Sequence, residues 1–310
     1  YASLEPGWQA ERMRNFTQVV TGGMPDRDLV ADGWSEVLRV DTQRAAADEA
    51  EAAELEAIDF EVMETLRRRV DEVVEDPEVA ERLKPWYGKH CKRIGFHDEY
   101  LQAFNRPNVH LVDTDGYGVR EMAPTGPVVD GRDYPLDLLV FASGFEITTG
   151  LVSRLGFDPV GRGGVRLSER WHDGTHSLHG ILTAELPNFL VVSFIQAGFG
   201  LNFVHFLSES TQHLAWVIDH CLSTGIDSIE ATVEAEDEWM QLLWSHSAPL
   251  ARYNKSCTPS YGNSEGARTT LAARSAVFPG PLTDYAAHLE AWREAGSLHG
   301  TRIRRRTSDD

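Results

Sequence analysis

The sequence predicts an α/β chain. Three observations carry that reading: short apolar runs of strand length at Leu136–Phe141 and Phe189–Phe194, an Asp130-Gly131 pair with hairpin chemistry, and long amphipathic segments on either side of them. At roughly 100–200 residues per domain, 310 residues suffice for two domains or one large one. Lys plus Arg total 29 and Asp plus Glu total 48, a formal charge of −19. Such an excess argues against nucleic acid or an anionic membrane as partner, because affinity there comes from neutralising phosphates. No window approaches the roughly 18 continuous apolar residues of a membrane helix. Cys91, Cys221 and Cys257 are few and widely spaced, which argues against a disulfide framework and for a reducing compartment, the cytoplasm. The chain opens on Tyr1 without the basic and apolar regions of a signal peptide. The expectation is a processed chain or a piece of a longer one.

In chain order, Trp8, Phe16 and Trp34 stand among polar residues, with a turn expected at Thr21-Gly22-Gly23. Leu55, Ile58, Val62, Leu66, Val70 and Val73 recur at three- and four-residue steps, which predicts a helix over 43–75. Its Glu, Asp and Arg residues read as a solvated face in preference to a partner-binding surface. Asp76-Pro77 breaks it, and a second helix is expected over 77–84 with proline in its first turn. Val109–Val112, Val119–Met122, Val128–Val129 and Leu136–Phe141 are strand candidates, the last continuously apolar as a strand covered on both faces would be. Residues 151–200 are loop-rich around a buried strand at Phe189–Phe194. Helices are expected near 203–223, 229–247 and 282–295, with an irregular stretch through Cys257 to Pro279. The tail from Arg302 to Asp310 is charged and expected to fray.

Generic searches for chemistry return little. Gly116-x-Gly118 and Gly198-x-Gly200 lack the third glycine and the strand-to-helix setting of a dinucleotide loop. No phosphate-binding P-loop or nucleophile elbow is present. His172, His176 and His179 are read as loop histidines, since Gly174 falls between them and no metal-ligand spacing appears. Cys91 beside cations admits a lowered thiol pKa, but no base partner can be named for it. Two segments stand out. Lys84, Lys89, His90, Lys92 and Arg93 place five cations, if His90 is protonated, within ten residues of a strongly acidic chain. Such an inversion suits a phosphate or a developing anion; it equally suits compensation of the acidic helix before it. The second is Leu138–Phe141 ending in Ala142-Ser143-Gly144, where three small residues would let a cofactor or a second backbone approach.

These segments resemble the carboxyl-terminal half of the FAD- and NADPH-dependent Baeyer–Villiger monooxygenases. The resemblance rests on Pro6-Gly7-Trp8-Gln9, Arg12–Phe16, Leu83–Tyr87, Cys91-Lys92-Arg93, His97–Tyr100, Phe104–Val109, Phe141–Glu146, Leu186–Phe189, Gln196–Asn202 and Cys257–Gly266, taken in order along nearly the whole chain. Ser143 stands where the family has Thr in its F-A-T-G-F element. The resemblance implies an α/β, two-dinucleotide-binding flavoprotein fold, here partial. It assigns 1–75 to a helical insertion of the NADPH domain, 76–140 to the rest of that domain, and 141–310 to the carboxyl part of the FAD domain. It implies a monooxygenase in which a peroxyflavin formed with dioxygen attacks a ketone and yields an ester or lactone.

By the same resemblance, Arg93 is the active-site arginine, and a guanidinium suits the part because its donors are fixed and never deprotonate. Lys92 is placed for the NADPH 2′-phosphate, Ser143, Gly144 and Phe145 near where the cofactors meet, and Gln196, Ala197 and Asn202 close to the flavin, where a helix amino terminus favours negative charge. The family's glycine-rich pyrophosphate loops are absent, so this chain is expected to be inactive alone. A flavin enzyme acting on nitrogen or sulfur is the competing enzymatic reading. A non-catalytic acidic interaction module leaves the Lys92-Arg93 pair and Phe141–Glu146 unexplained.

Overall fold

A computed structural model describes residues 4–20, 25–38, 46–92, 94–95, 97–144, 150–198, 200, 202–245, 257, 274–278 and 280–306. In order the elements are helices α1 (Trp8–Val20), α2 (Gly33–Leu38), α3 (Glu49–Val73), α4 (Pro77–Leu83) and α5 (Tyr100–Ala103), strands β1 (Glu121–Ala123), β2 (Gly126–Val129) and β3 (Arg132–Asp133), helices α6 (Leu151–Leu155), α7 (Leu167–Arg170) and α8 (Phe203–Ser223), strand β4 (Ile226–Ala231), helices α9 (Val233–Ser245) and α10 (Leu282–Ala295), and strand β5 (Thr301–Arg305). The chain divides into two compact units, residues 57–148 and residues 1–56 with 149–310. The turn expected at Thr21-Gly22-Gly23 lies outside the described residues. Among the described residues no helix is long and apolar enough to cross a membrane.

α3 forms where its periodicity predicts, and its buried line matches the expected one in part: Leu55 and Val70 are buried, but Ile58, Val62, Leu66 and Val73 are only half-buried, while Asp59, Met63 and Arg67 are buried. Steps of four and three residues keep Asp59, Met63, Arg67 and Val70 on one face, so two charged side chains sit inside that face. In the unit of residues 57–148, Asp76 caps α4 by accepting from the amides of Glu78 (2.9 Å) and Val79 (3.3 Å), with Pro77 in the first turn. Such a cap contributes about 1 kcal/mol. Asn105 closes the end of α3: its amide donates to the Val73 carbonyl at 2.7 Å and its oxygen accepts from Glu75 N–H at 3.0 Å. Val70, Val74 and Ala80 form the small core beneath, with Leu83, Leu101 and Phe104 against it.

The three short strands make an antiparallel meander, with Ala123 opposite Gly126 and Val129 opposite Arg132. Asp130 and Gly131 turn the second hairpin with φ of 49° and 76°, the pair of positive values that its tight loop requires. At Gly126 a Cβ would lie 2.1 Å from the Tyr134 carbonyl oxygen, so no side chain fits. The expected strands at Val109–Val112 and Leu136–Phe141 do not form. Leu138, Val140 and Phe141 are 77%, 73% and 84% exposed. The run is apolar enough for a sheet centre, but a strand is stable only when neighbours satisfy its backbone, and none of the described strands pairs with it.

In the other unit, α8, α9, α10 and the β4–β5 pair enclose one core, with Phe206, Val217, Trp239, Met240, Leu243, Tyr285 and Leu289 almost fully buried. Asn202 caps α8, accepting from His205 N–H at 3.0 Å, and Gly296 ends α10 in the left-handed conformation at φ 62°. The helix expected from residue 229 begins at Val233, because Ile226–Ala231 is strand β4. Of the tail expected to fray from Arg302 to Asp310, Arg302–Arg305 is instead strand, as part of β5 (Thr301–Arg305), paired from Ile226↔Arg305 to Ala231↔Thr301, and residues 307–310 lie outside the described residues. Charge holds the pair in register: Arg304 meets Asp227 across the strands, and Arg302 lies 3.9 Å from the buried Glu230. Phe189–Phe194 is not a strand either; only Leu190 forms a bridge, to Leu182.

Candidate functional site

The expected site residues fall in both units. Arg93 and Phe145 lie outside the described residues.

In the 57–148 unit the cationic run folds back on α3 and α4. Lys84 is spent on neighbouring carboxylates, 2.9 Å from Asp71 and 2.8 Å from Glu81, and the hydrogen bonds to both raise its pKa. For Lys84, compensation of the acidic helices is therefore the correct reading. Lys89 is buried, and its amide donates to Asp59 Oδ2 at 3.1 Å. Burial, reinforced by the Lys89 charge, pushes His90 down to about 4, so it is neutral near pH 7 and does not count among the cations. Lys92 is half-buried. Cys91 is disulfide-bonded, which removes the thiolate alternative and corrects the expectation that all three cysteines are reduced. Ser143 and Gly144 are exposed, and Gly144 has φ 89°.

Arg67 was not singled out from sequence, yet it organises this run. Its guanidinium lies over the rings of Phe60 (5.2 Å) and Trp86 (4.8 Å), donates from Nη1 to the Pro85 carbonyl at 2.9 Å, and pairs with Glu64. A charged residue on an acidic helix gives no outward sign of burial, so sequence periodicity passes over it.

In the other unit, Gln196 is a buried junction with a backbone φ of 58°. Its amide nitrogen donates to the carbonyls of Thr175 and Arg274 (3.1 Å to the latter), and its oxygen accepts from Ser177 Oγ at 2.7 Å. Trp239 Nε1 donates to its carbonyl at 2.8 Å, and its own N–H donates to the Ala276 carbonyl at 2.8 Å. Ala197 is buried against Gly180, where an added Cβ would lie 2.6 Å from the Ala197 methyl. Asn202 is exposed; besides capping α8 it approaches Met13 Sδ at 3.0 Å.

The three histidines flagged by sequence separate. His172 is exposed, and His176 pairs through Nε2 with Asp173 at 2.7 Å while Nδ1 lies 3.3 Å from Arg274. His179 is buried edge-on to His213 (5.6 Å), His288 (5.3 Å), Trp239 (5.1 Å) and Trp292 (5.4 Å). Burial lowers the pKa of all three clustered histidines, to about 4 at His213, where Arg293 also opposes protonation. Their folded pKa values lie below the unfolded value, so their contribution is complete above about pH 6.5 and is lost as pH falls through the folded values. We predict that His213 removes about 3 kcal/mol of unfolding free energy as pH falls from 6.5 to 4, while Glu236, whose pKa burial raises, acts with the opposite sign over part of that range. Urea titrations of wild type and a His213→Asn variant check this: wild type should lose stability relative to the variant as pH falls, and a constant difference would remove the assignment. Glu236 is a second buried group, bonded to the Ala184 amide at 2.7 Å and to Arg170; burial raises it to about 7.

No protein-family model matches the chain. Curated relatives do. The FAD-binding monooxygenase hmp7 of Hypomyces subiculosus is 41% identical over 302 residues, 96% of this chain and 50% of the relative. The Baeyer–Villiger monooxygenase ATR8 of Stachybotrys chlorohalonatus is 38% identical over 309 residues, 97% of this chain and 49% of the relative. Among solved structures, the polycyclic ketone monooxygenase of Thermothelomyces thermophila superposes with a TM-score of 0.87 at 35% identity, covering 98% of this chain and 51% of that one. The chain thus has the partial two-dinucleotide-binding flavoprotein fold that its sequence leads one to expect. It is homologous along nearly its whole length to the Baeyer–Villiger monooxygenases, and it spans about half the length of the curated relatives it matches.

Proposed function

We propose that this chain is the carboxyl-terminal half of a Baeyer–Villiger monooxygenase that uses FAD and NADPH to insert one oxygen atom of dioxygen beside a ketone carbonyl. The observation that carries the reading is the superposition over 98% of the chain on a polycyclic ketone monooxygenase. Residues 1–75 belong to a helical insertion, 76–140 to the NADPH-binding domain and 141–310 to the FAD-binding domain. The residues present fit the cofactors in part. Gly144, at φ 89°, is a place where no Cβ obstructs approach. No glycine-rich pyrophosphate loop exists in the sequence.

When bound, the two cofactors supply the redox chemistry. Lys92 would hold the 2′-phosphate of the nicotinamide cofactor as a point charge, once Lys84 and His90 are discounted. Arg93 would place a guanidinium against the oxygen that gains charge during carbonyl addition. Ser143, Gly144 and Phe145 would line the meeting place of the cofactors. Asn202 would act through its cap, which fixes the amino terminus of the 21-residue helix α8 and its positive end. Gln196 and Ala197 would shape the adjoining wall. The side-chain amide of Gln196 is engaged by protein partners, so its part there is support.

The test is a product analysis on an enzyme completed to its relatives' length. Given NADPH, air and a polycyclic ketone, it should form the ester or lactone. Turnover of a thioether to the sulfoxide with no ketone turnover would favour the heteroatom reading instead.

A further inference from the structure

We propose that Asp59 and Arg67 are positioning residues: together they clamp the Pro85–Lys89 segment along α3 and thereby set where Lys92 presents its charge. This rests on the reading of Lys92 as an anion-binding residue.

Two independent anchors carry it. Arg67 Nη1 donates to the Pro85 carbonyl at 2.9 Å, and Asp59 Oδ2 accepts from the Lys89 amide at 3.1 Å. The anchors lie eight residues apart on α3 (67 − 59), about two turns along one face, and hold two points of the chain four residues apart (89 − 85). Met63, buried midway, fills the same face. Asp59, Arg67 and Lys89 are 7%, 4% and 2% exposed. Taking such groups out of water is costly unless geometry repays it, so both anchors resist displacement. Arg67 is further fixed by Glu64 and by the rings of Phe60 and Trp86, and Trp86 itself belongs to the held segment. A planar fork that bonds a carbonyl and stacks on rings is a task lysine cannot perform. Lys92 follows Lys89 by three residues, close enough that its placement inherits the constraint.

The experiment uses the 310-residue chain with 2′,5′-ADP and 5′-AMP as probes, and reads amide hydrogen exchange on the same samples. The variants are Arg67→Met, Arg67→Lys, Asp59→Ala and Asp59→Asn. Wild type should bind 2′,5′-ADP more tightly than 5′-AMP. Arg67→Met and Asp59→Ala should each cut that ratio about tenfold, Arg67→Lys should fail to restore it, and Asp59→Asn, which keeps the acceptor, should restore it. Exchange over 86–92 should accelerate in the disruptive variants while 226–245 stays unchanged, which certifies folding. A ratio kept by both disruptive variants overturns the clamp. If wild type shows no preference for the 2′-phosphate, the reading of Lys92 fails, and exchange alone decides the clamp: acceleration over 86–92 supports it and unchanged exchange overturns it.

Discussion

Replacing Arg93 by Ala, in an enzyme completed to its relatives' length, is expected to lower oxygenation about a hundred- to thousandfold while leaving flavin content near normal. Lys84 is neutralised by Asp71 and Glu81, and His90 is held uncharged by burial, so neither of these two is available to a developing anion. Lys89 is buried. Of Lys92 and Arg93, only the guanidinium offers fixed donors that stay protonated through a cycle creating negative charge on oxygen. Arg93→Lys should recover little, since the fork is lost though the charge remains. Product formation and flavin absorbance measured together check this. Equal losses of both would reassign Arg93 to cofactor retention.

Gln196→Ala is expected to destabilise the 310-residue chain by about 2–4 kcal/mol, because the Thr175 and Arg274 carbonyls and the Ser177 hydroxyl lose a buried partner together. The substituted alanine would also keep φ 58°, a region that L-residues disfavour by roughly 1–2 kcal/mol. Gln196→Gly removes the same amide but relieves that strain, so it should be the milder change. Urea midpoints of the chain without cofactor check both. No shift in either would mean that the amide contributes nothing to the fold and acts only on a bound group.

The elements readable from sequence are those whose signals are local. The periodicity of α3, the Asp76-Pro77 start of α4, the helix near 203–223 and the Asp130-Gly131 hairpin each involve residues a few positions apart, and each is found. What escaped depends on distant partners. β5 forms because β4, some seventy residues earlier, satisfies its backbone, so Arg302–Arg305, which read as frayed, become strand. Leu136–Phe141 errs the other way: its composition is that of a central strand, but no described strand pairs with it. In a complete enzyme we expect that run to pair and become buried.

The site divides similarly. Lys92 and Ser143-Gly144 stand out in the sequence through a local inversion of charge and a run of small residues, and their part in a site is a proposal. Arg67 and Asp59 do not stand out, because on an acidic helix a charged residue is solvated by default. Gln196 was legible by resemblance only, and its part as a junction for residues 175–177, 239 and 274–276 emerges from the fold.

The most direct measurement is isotopic. A completed enzyme is supplied with NADPH, a polycyclic ketone and dioxygen labelled with heavy oxygen, and the product is examined by mass spectrometry. The account predicts an ester or lactone carrying a single heavy atom, at the bridging oxygen beside the former ketone carbonyl. A product without label, or with label entering only from heavy water, would contradict it.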